Sequence, residues 1–185
     1  MQIEHLAIHD IVLVTPARFA DERGFFSETY NRARMREAGI APEFVQDNHS
    51  LSKQRGVVRG LHCQVAPHPQ GKLVRCTRGA IFDVAVDARV GSPSYGQWVG
   101  AELSEANWSQ LWIPPGFLHG FCTLTGDTEV QYKCTDVWDR AAERAVLWNS
   151  EEIGIEWPIT ADEAVLSDKD KLAPPFAQAE GWFRL

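Results

Sequence analysis

No stretch of this chain is apolar for long enough to cross a membrane. The opening segment MQIEHLAIHD lacks a basic region followed by a long apolar run. No secretory leader is therefore expected, and a cytoplasmic location is. Cysteine is scarce: Cys63, Cys76, Cys122 and Cys134 are widely spaced and form no CxxC pair. They read as small buried thiols rather than a disulfide framework or a zinc site. Positive charge is in deficit, with 18 Lys and Arg against 25 Asp and Glu, for a net charge of −7. That balance argues against non-specific binding of nucleic acid. Linkers, repeats and low-complexity tracts are also missing, so residues 1–185 are expected to form one domain.

What is present is mostly strand signal. Ile81–Asp87 is rich in β-formers and carries Asp83 and Asp87, while Leu73–Thr77 and Val130–Cys134 read as further short strands. Turn signals recur at Arg78-Gly79, at Gly-Ser-Pro-Ser from Gly91, at Pro114-Pro115-Gly116 and at Thr125-Gly126-Asp127. Many short strands with close-set turns predict a mainly β jelly-roll barrel or sandwich. Helix signals are confined to Asn31–Ala38, where Asn31 is placed to cap, and to short pieces after Ser150. A small barrel can hold a ligand, and polar residues pointing into it need a partner or a task. Charge is uneven as well. Residues 1–78 hold 11 Lys and Arg against 8 Asp and Glu, and residues 79–185 hold 7 against 17. A basic patch for an anionic ligand is therefore sought in the first half.

Several residues in the strand runs could carry chemistry. His62 suits a general base, because imidazole titrates near neutrality. Such a base is often oriented by a carboxylate, for which Asp170 and Asp168 are both candidates. Lys72 offers a compact charge for a developing oxyanion, and Arg59 offers forked hydrogen bonding to phosphate. Arg59 and His62 have opposite parity on a strand, but Gly60 between them permits a bulge that would bring them to one face. Tyr132, if it points inward, is a weak acid able to protonate a carbanion from the side opposite the base. Trp138 and Phe26 could stack on a nucleobase. His119, in Pro-Pro-Gly-Phe-Leu-His, resembles the second metal motif of cupins. The HxH pair of that motif set is missing, however, because Cys63 and Gln64 follow His62. No metal is expected.

Taken in order, the segments resemble the dTDP-4-dehydrorhamnose 3,5-epimerase family of cupin-like proteins. The resemblance is carried by Asp-Glu-Arg-Gly-Phe-Phe at 21–26, Gln-Asp-Asn-His-Ser at 46–50 and Arg-Gly-Leu-His at 59–62. It continues through Gln-Gly-Lys-Leu-Val-Arg at 70–75, Ile-Pro-Pro-Gly-Phe-Leu-His-Gly-Phe at 113–121, Tyr-Lys at 132–133 and Trp-Asn at 148–149. It implies a double-stranded β-helix with short helices towards the termini, assembled as a homodimer. It also implies conversion of dTDP-4-dehydro-6-deoxy-D-glucose to dTDP-4-dehydro-L-rhamnose without a cofactor. In the family pattern His62 matches the base, Asp170 its partner, Tyr132 the acid and Lys72 the residue beside the enolate oxygen. Gln46, Asp47, Asn48, Arg59, His119 and Trp138 match substrate contacts, and so, less firmly, do Glu143 and Lys169. Arg23, Phe26 and Glu28 match nucleotide contacts that the family supplies from the neighbouring subunit. Cys63 and Trp138 stand where the family commonly has tyrosine. Rival readings are a single-carbon epimerase or 3,4-ketoisomerase with the same site, a metal-dependent cupin dioxygenase, and a non-catalytic nucleotide-sugar binding module.

Overall fold

Val58–Gln64 and Phe117–Thr123 are the strands around which the molecule is organised, and each is largely buried on both faces. The computed structural model describes residues 1–185. In chain order the strands begin with β1 (Gln2–His5), β2 (Val12–Thr15), β3 (Phe19–Asp21), β4 (Gly24–Phe26) and β5 (Gln46–Ser52). They continue with β6 (Val58–Gln64), β7 (Lys72–Arg78), β8 (Ala80–Asp87), β9 (Arg89–Val90) and β10 (Trp98–Ser104). The last are β11 (Gln110–Ile113), β12 (Phe117–Thr123), β13 (Thr128–Cys134), β14 (Glu143–Ala145) and β15 (Phe183–Arg184).

Six strands form one sheet in the order β1-β2-β11-β7-β13-β5, and five form the other in the order β10-β8-β12-β6-β14. From β5 to β8, and again from β11 to β14, each successive strand crosses to the other sheet. This winding is the expected double-stranded β-helix. Between the sheets lies a core of Val74, Cys76, Ile81, Ala85, Leu103, Leu111, Phe117, Phe121 and Val130, among others. The alternate residues Val84, Val86 and Leu118 face outward and are covered by the C-terminal segment through Ile153, Phe176 and Ala179. Period-two alternation thus gives β8 two buried faces, which explains its near-continuous apolar run.

The expected helix is α1 (Arg32–Glu37), and Asn31 caps it by accepting from the Ala33 and Arg34 amides at 3.1 and 3.3 Å. Its Met35 packs with Val12, Val14, Leu73 and Trp112 on the outer face of the larger sheet. After Ser150 the chain forms only α2 (Asp168–Lys171) and a 3-10 turn at Phe176–Ala179. No helix is long and apolar enough to cross a membrane.

The two aspartates of β8 share its inward face but occupy different ends. Asp87 is fully buried and accepts from Arg89 Nε and Nη2 and from the Ser92 and Ser94 hydroxyls, at 2.6 to 2.9 Å. Burial would raise its pKa, but these donors hold the carboxyl down at about 2. Asp83, four residues earlier, lies at the other end, where the barrel is hollow.

Candidate active site

That hollow is a cavity of about 420 Å³ lined by both sheets and by the chain just before and within α2. The smaller sheet contributes Arg59, His62, His119 and Phe121, and the larger contributes Ser50, Lys72 and Tyr132. A recess of about 130 Å³ shares His62, Lys72 and Tyr132 and extends to Gln46, Asn48, Gln64, Trp138 and Glu143. The cavity's charged lining is mostly cationic, with Arg59, Lys72 and Lys169 against the single carboxylate of Asp170. Two of these three cations come from the basic first half of an otherwise acidic chain.

The parity conflict is resolved as Gly60 permits. His119 pairs with His62 and Phe121 pairs with Arg59, so three steps along β6 match two along β12. The extra residue is a bulge at Gly60, which has φ +124°. Both Arg59 and His62 therefore open on the cavity while Leu61 and Cys63 turn to the outer core.

His62 Nε2 donates to Asp170 Oδ1 at 2.6 Å, and the ring is partly exposed beside a carboxylate that is 4% exposed. The choice between Asp170 and Asp168 is settled by α2. Ser167 caps this short helix, so the third helical residue, Asp170, folds back under the cap, while Asp168 faces solvent and pairs with Lys171 at 3.4 Å. Burial pushes the Asp170 carboxyl up, but the hydrogen bonds from His62 and Ser167 hold it below the ordinary carboxylate value.

A second histidine–carboxylate pair lies deeper. His119 Nε2 donates to Asp83 Oδ1 at 2.7 Å, with both residues buried. Burial pushes the His119 pKa down more than Asp83 raises it, favouring a neutral ring. Asp83 Oδ2 is buried without a hydrogen-bond partner. Lys72 has its pKa lowered, chiefly by burial. Its ammonium sits 6.0 Å from the centre of the Tyr132 ring. Burial likewise raises the Tyr132 phenol, with Cys134 adding to the shift and Arg59 opposing it. Arg59 is steadied by Ser52 Oγ at 3.3 Å and Leu51 O at 3.4 Å.

Gln64 assembles the recess. Its amide donates to His68 O and Val137 O at 2.7 and 3.1 Å, and its carbonyl accepts from the Asp139 amide at 2.7 Å. The Trp138 amide donates to Gln46 Oε1 at 2.8 Å, and Gln46 donates to Asn48 at 3.2 Å. Trp138 is left 56% exposed, free to cover a ligand. Lys169 and Glu143 form an ion pair at 2.6 Å between α2 and β14.

Three groups of expected residues fall outside the cavity. Asp47 lies, by strand alternation, on the opposite face of β5 from Gln46 and Asn48, where Lys133 holds it at 2.9 Å and it borders a neighbouring cavity with Asn48 and Tyr132. Arg23 and Phe26 lie on or beside the β3–β4 hairpin, with Arg23 paired to Asp21 at 2.6 Å and Phe26 70% exposed. Glu28 pairs with Arg34 at 3.3 Å. The sequence does not single out Gln64 or Ser167, and it marks Asp83 only as a charge inside a strand; the signal that points to Ser167 is the Ser-x-x-Asp capping spacing.

The dTDP-4-dehydrorhamnose 3,5-epimerase family model matches residues 5–178. A dTDP-4-dehydrorhamnose 3,5-epimerase of Pseudomonas aeruginosa is 51% identical, covering 97% of this chain and 98% of its own. One from Salmonella typhimurium is 52% identical over 94% of each chain. Among solved structures, the dTDP-6-deoxy-D-glucose-3,5-epimerase of Legionella pneumophila in complex with dTDP-4-keto-L-rhamnose superposes with a TM-score of 0.93. It is 42% identical and covers 100% of this chain and 98% of its own. With the motifs in order, the barrel matched and the cavity built from those same motifs, the chain belongs to the dTDP-4-dehydrorhamnose 3,5-epimerase family.

Proposed function

We propose that the cavity inverts C3 and C5 of dTDP-4-dehydro-6-deoxy-D-glucose, giving dTDP-4-dehydro-L-rhamnose, with His62 as base and Tyr132 as acid. One observation carries the assignment of roles: His62 and Tyr132 enter the same cavity from opposite sheets. Inversion needs a proton removed from one face of a carbon and another delivered to the other face, which is the work such a pair can do.

The C4 ketone makes the hydrogens on its two neighbours acidic. With Nε2–H donated to Asp170, Nδ1 of His62 is the nitrogen left to take a carbon-bound proton. The C–H electron pair moves into an enolate whose negative charge gathers on the C4 oxygen. The Lys72 ammonium stabilises that oxygen, and Asp170 offsets the new imidazolium charge. Tyr132 O–H then protonates the carbon from the far side. The imidazolium loses its proton and the phenolate regains one through solvent, so each group is reset. Burial keeps the resting phenol protonated. Oxidation level is unchanged, so the scheme asks for no redox cofactor. Treating the second carbon the same way requires the sugar ring to turn in the site.

Arg59, His119, Gln46 and Asn48 would hold the sugar and phosphates, and Trp138 would stack on the base. Glu143 and Lys169 border the same space as an ion pair. Arg23, Phe26 and Glu28 act on the cleft of a neighbouring subunit in a homodimer. This reading is supported by a hairpin that leaves Phe19, Phe25 and Phe26 at least half exposed. The whole chain, 1–185, works as one cytoplasmic cupin-like domain.

Incubation with dTDP-4-dehydro-6-deoxy-D-glucose in deuterated water tests the proposal. Deuterium should enter at both carbons, and entry at one alone would identify a single-carbon epimerase. His62→Ala should abolish exchange at both positions. Tyr132→Phe should lose inversion more than it loses exchange, and equal losses would remove Tyr132 from the acid role.

A further inference from the structure

We propose that Ser167 is a positioning residue for the base, the third member of a Ser167–Asp170–His62 chain. The inference rests on the reading of His62 as the base. Both oxygens of the nearly buried Asp170 are committed: Oδ1 to His62 Nε2 at 2.6 Å and Oδ2 to the Ser167 hydroxyl at 2.8 Å. Ser167 Oγ also accepts the Asp170 backbone N–H at 3.2 Å. That amide occupies a lone pair of Oγ and leaves the hydroxyl hydrogen to turn to Oδ2. One hydroxyl thus grips both the backbone and the carboxylate of Asp170. Two donors on two different oxygens fix the plane of the carboxylate, whereas the His62 bond alone would leave it free to swing.

The need for such a grip follows from where Asp170 resides. It lies 108 residues from His62, on a helix of four residues that has no cooperative stability of its own. The segment before it is clipped to the barrel by a bridge between Val57 and Val165, with Val165 N donating to Gly56 O at 2.8 Å and Val58 N to Val165 O at 3.0 Å. Glu163 adds an ion pair to Arg55 at 2.6 Å. A side chain at Gly56 would collide with the Glu163 carbonyl, so the clip is a close backbone approach. Beyond Val165 the path to Asp170 runs through Leu166, packed on the outer core, and the Ser167 cap, while the Lys169–Glu143 pair ties α2 to β14 without touching the Asp170 carboxylate.

A cap alone would not require serine, since glycine caps a helix nearly as well. Glycine cannot donate to Oδ2, and threonine can. This difference separates positioning from helix capping. Wild type, Ser167→Gly and Ser167→Thr are compared for kcat, KM, deuterium entry at the two carbons, Tm and the low-field Nε2–H resonance of His62. Ser167→Gly should lower kcat roughly tenfold to a hundredfold, the range for a charge-assisted hydrogen bond. KM should stay within about twofold, since the loss is confined to the chemical step. Deuterium entry should fall by the same factor at both carbons, because one base serves both. Threonine should restore all three, and the His62 resonance should persist in threonine and be lost in glycine. A glycine variant with wild-type kcat, or an equal loss in threonine, overturns the proposal. If the wild type itself admits no deuterium, the base reading fails, and the His62 resonance still decides whether Ser167 positions the pair.

Discussion

Arg59 and His62 open on the same cavity although an unbroken strand would turn one of them away, and Gly60 is the residue that makes this geometry available. A Cβ on Gly60 would stand 2.6 Å from both Gly120 Cα and His119 O, at a φ of +124°. Neither neighbour is a flexible side-chain end. Gly60→Ala should therefore lower unfolding free energy by about 3 kcal/mol, the combined range for backbone strain and overpacking. The surviving folded protein should lose most of its turnover, because His62 and Arg59 can no longer share a wall. Urea unfolding together with kcat per folded molecule tests this, and full activity at wild-type stability would show that the bulge is dispensable.

Lys72 separates stability from activity. It is half-buried on the cavity wall, and desolvation there lowers its pKa, so its charge opposes folding and suits a ligand instead. Lys72→Met should lower kcat by about two to three orders of magnitude, the size expected for loss of an oxyanion-stabilising group. Its Tm should hold or rise. A fall in Tm with kcat preserved would show that Lys72 supports the fold instead.

Asp87 ties acid stability to the closed end of the barrel. Its folded pKa is depressed to about 2 by Arg89, Ser92 and Ser94 despite the opposing effect of burial. A depressed carboxyl stabilises the fold above its unfolded value and loses that contribution as the pH falls through the folded one. The window therefore runs from roughly pH 4 down to about 2, and the contribution is on the order of 2 kcal/mol. Asp87→Asn should destabilise the protein at neutral pH and flatten the decline of stability across that window. An unchanged slope in pH-dependent urea midpoints would show that other carboxyls govern acid unfolding.

Asn31 gives a smaller effect. Its side chain accepts from two amides at the start of α1, and Asn31→Ala should cost about 1 kcal/mol. Chemical unfolding measures this directly, and no loss would mean that packing of Met35 alone holds the helix.

Much of this architecture is legible before any coordinates. Close-set turns and β-rich runs announce the barrel, Asn31 announces α1, and Gly60 between Arg59 and His62 announces the bulge. The limits are physical. Asp168 and Asp170 differ in sequence only by two places, and the Ser167 cap separates them by turning the third helical residue inward. Asp83 becomes a partner of His119 only through the register of β8 against β12, which nothing local encodes. Asp47 is the reverse case, because alternation along Gln46, Asp47 and Asn48 already places it on the outer face of β5. Gln64 shows no motif character, since its task of holding the loop that carries Trp138 consists of bonds to backbone far along the chain.

The lateness of Asp170 has a consequence for how the protein fails. The strands of the two large sheets are complete by Ala145, whereas the partner of His62 comes 25 residues later, on a four-residue helix outside both sheets. Sub-global opening of that segment would disconnect the pair without melting the sheets, because openings of this kind draw on the least stable part of a structure. Loss of activity on heating should then run ahead of loss of β-structure. Catalytic competence becomes a report on whether the last part of the chain has docked, rather than on whether the barrel has formed.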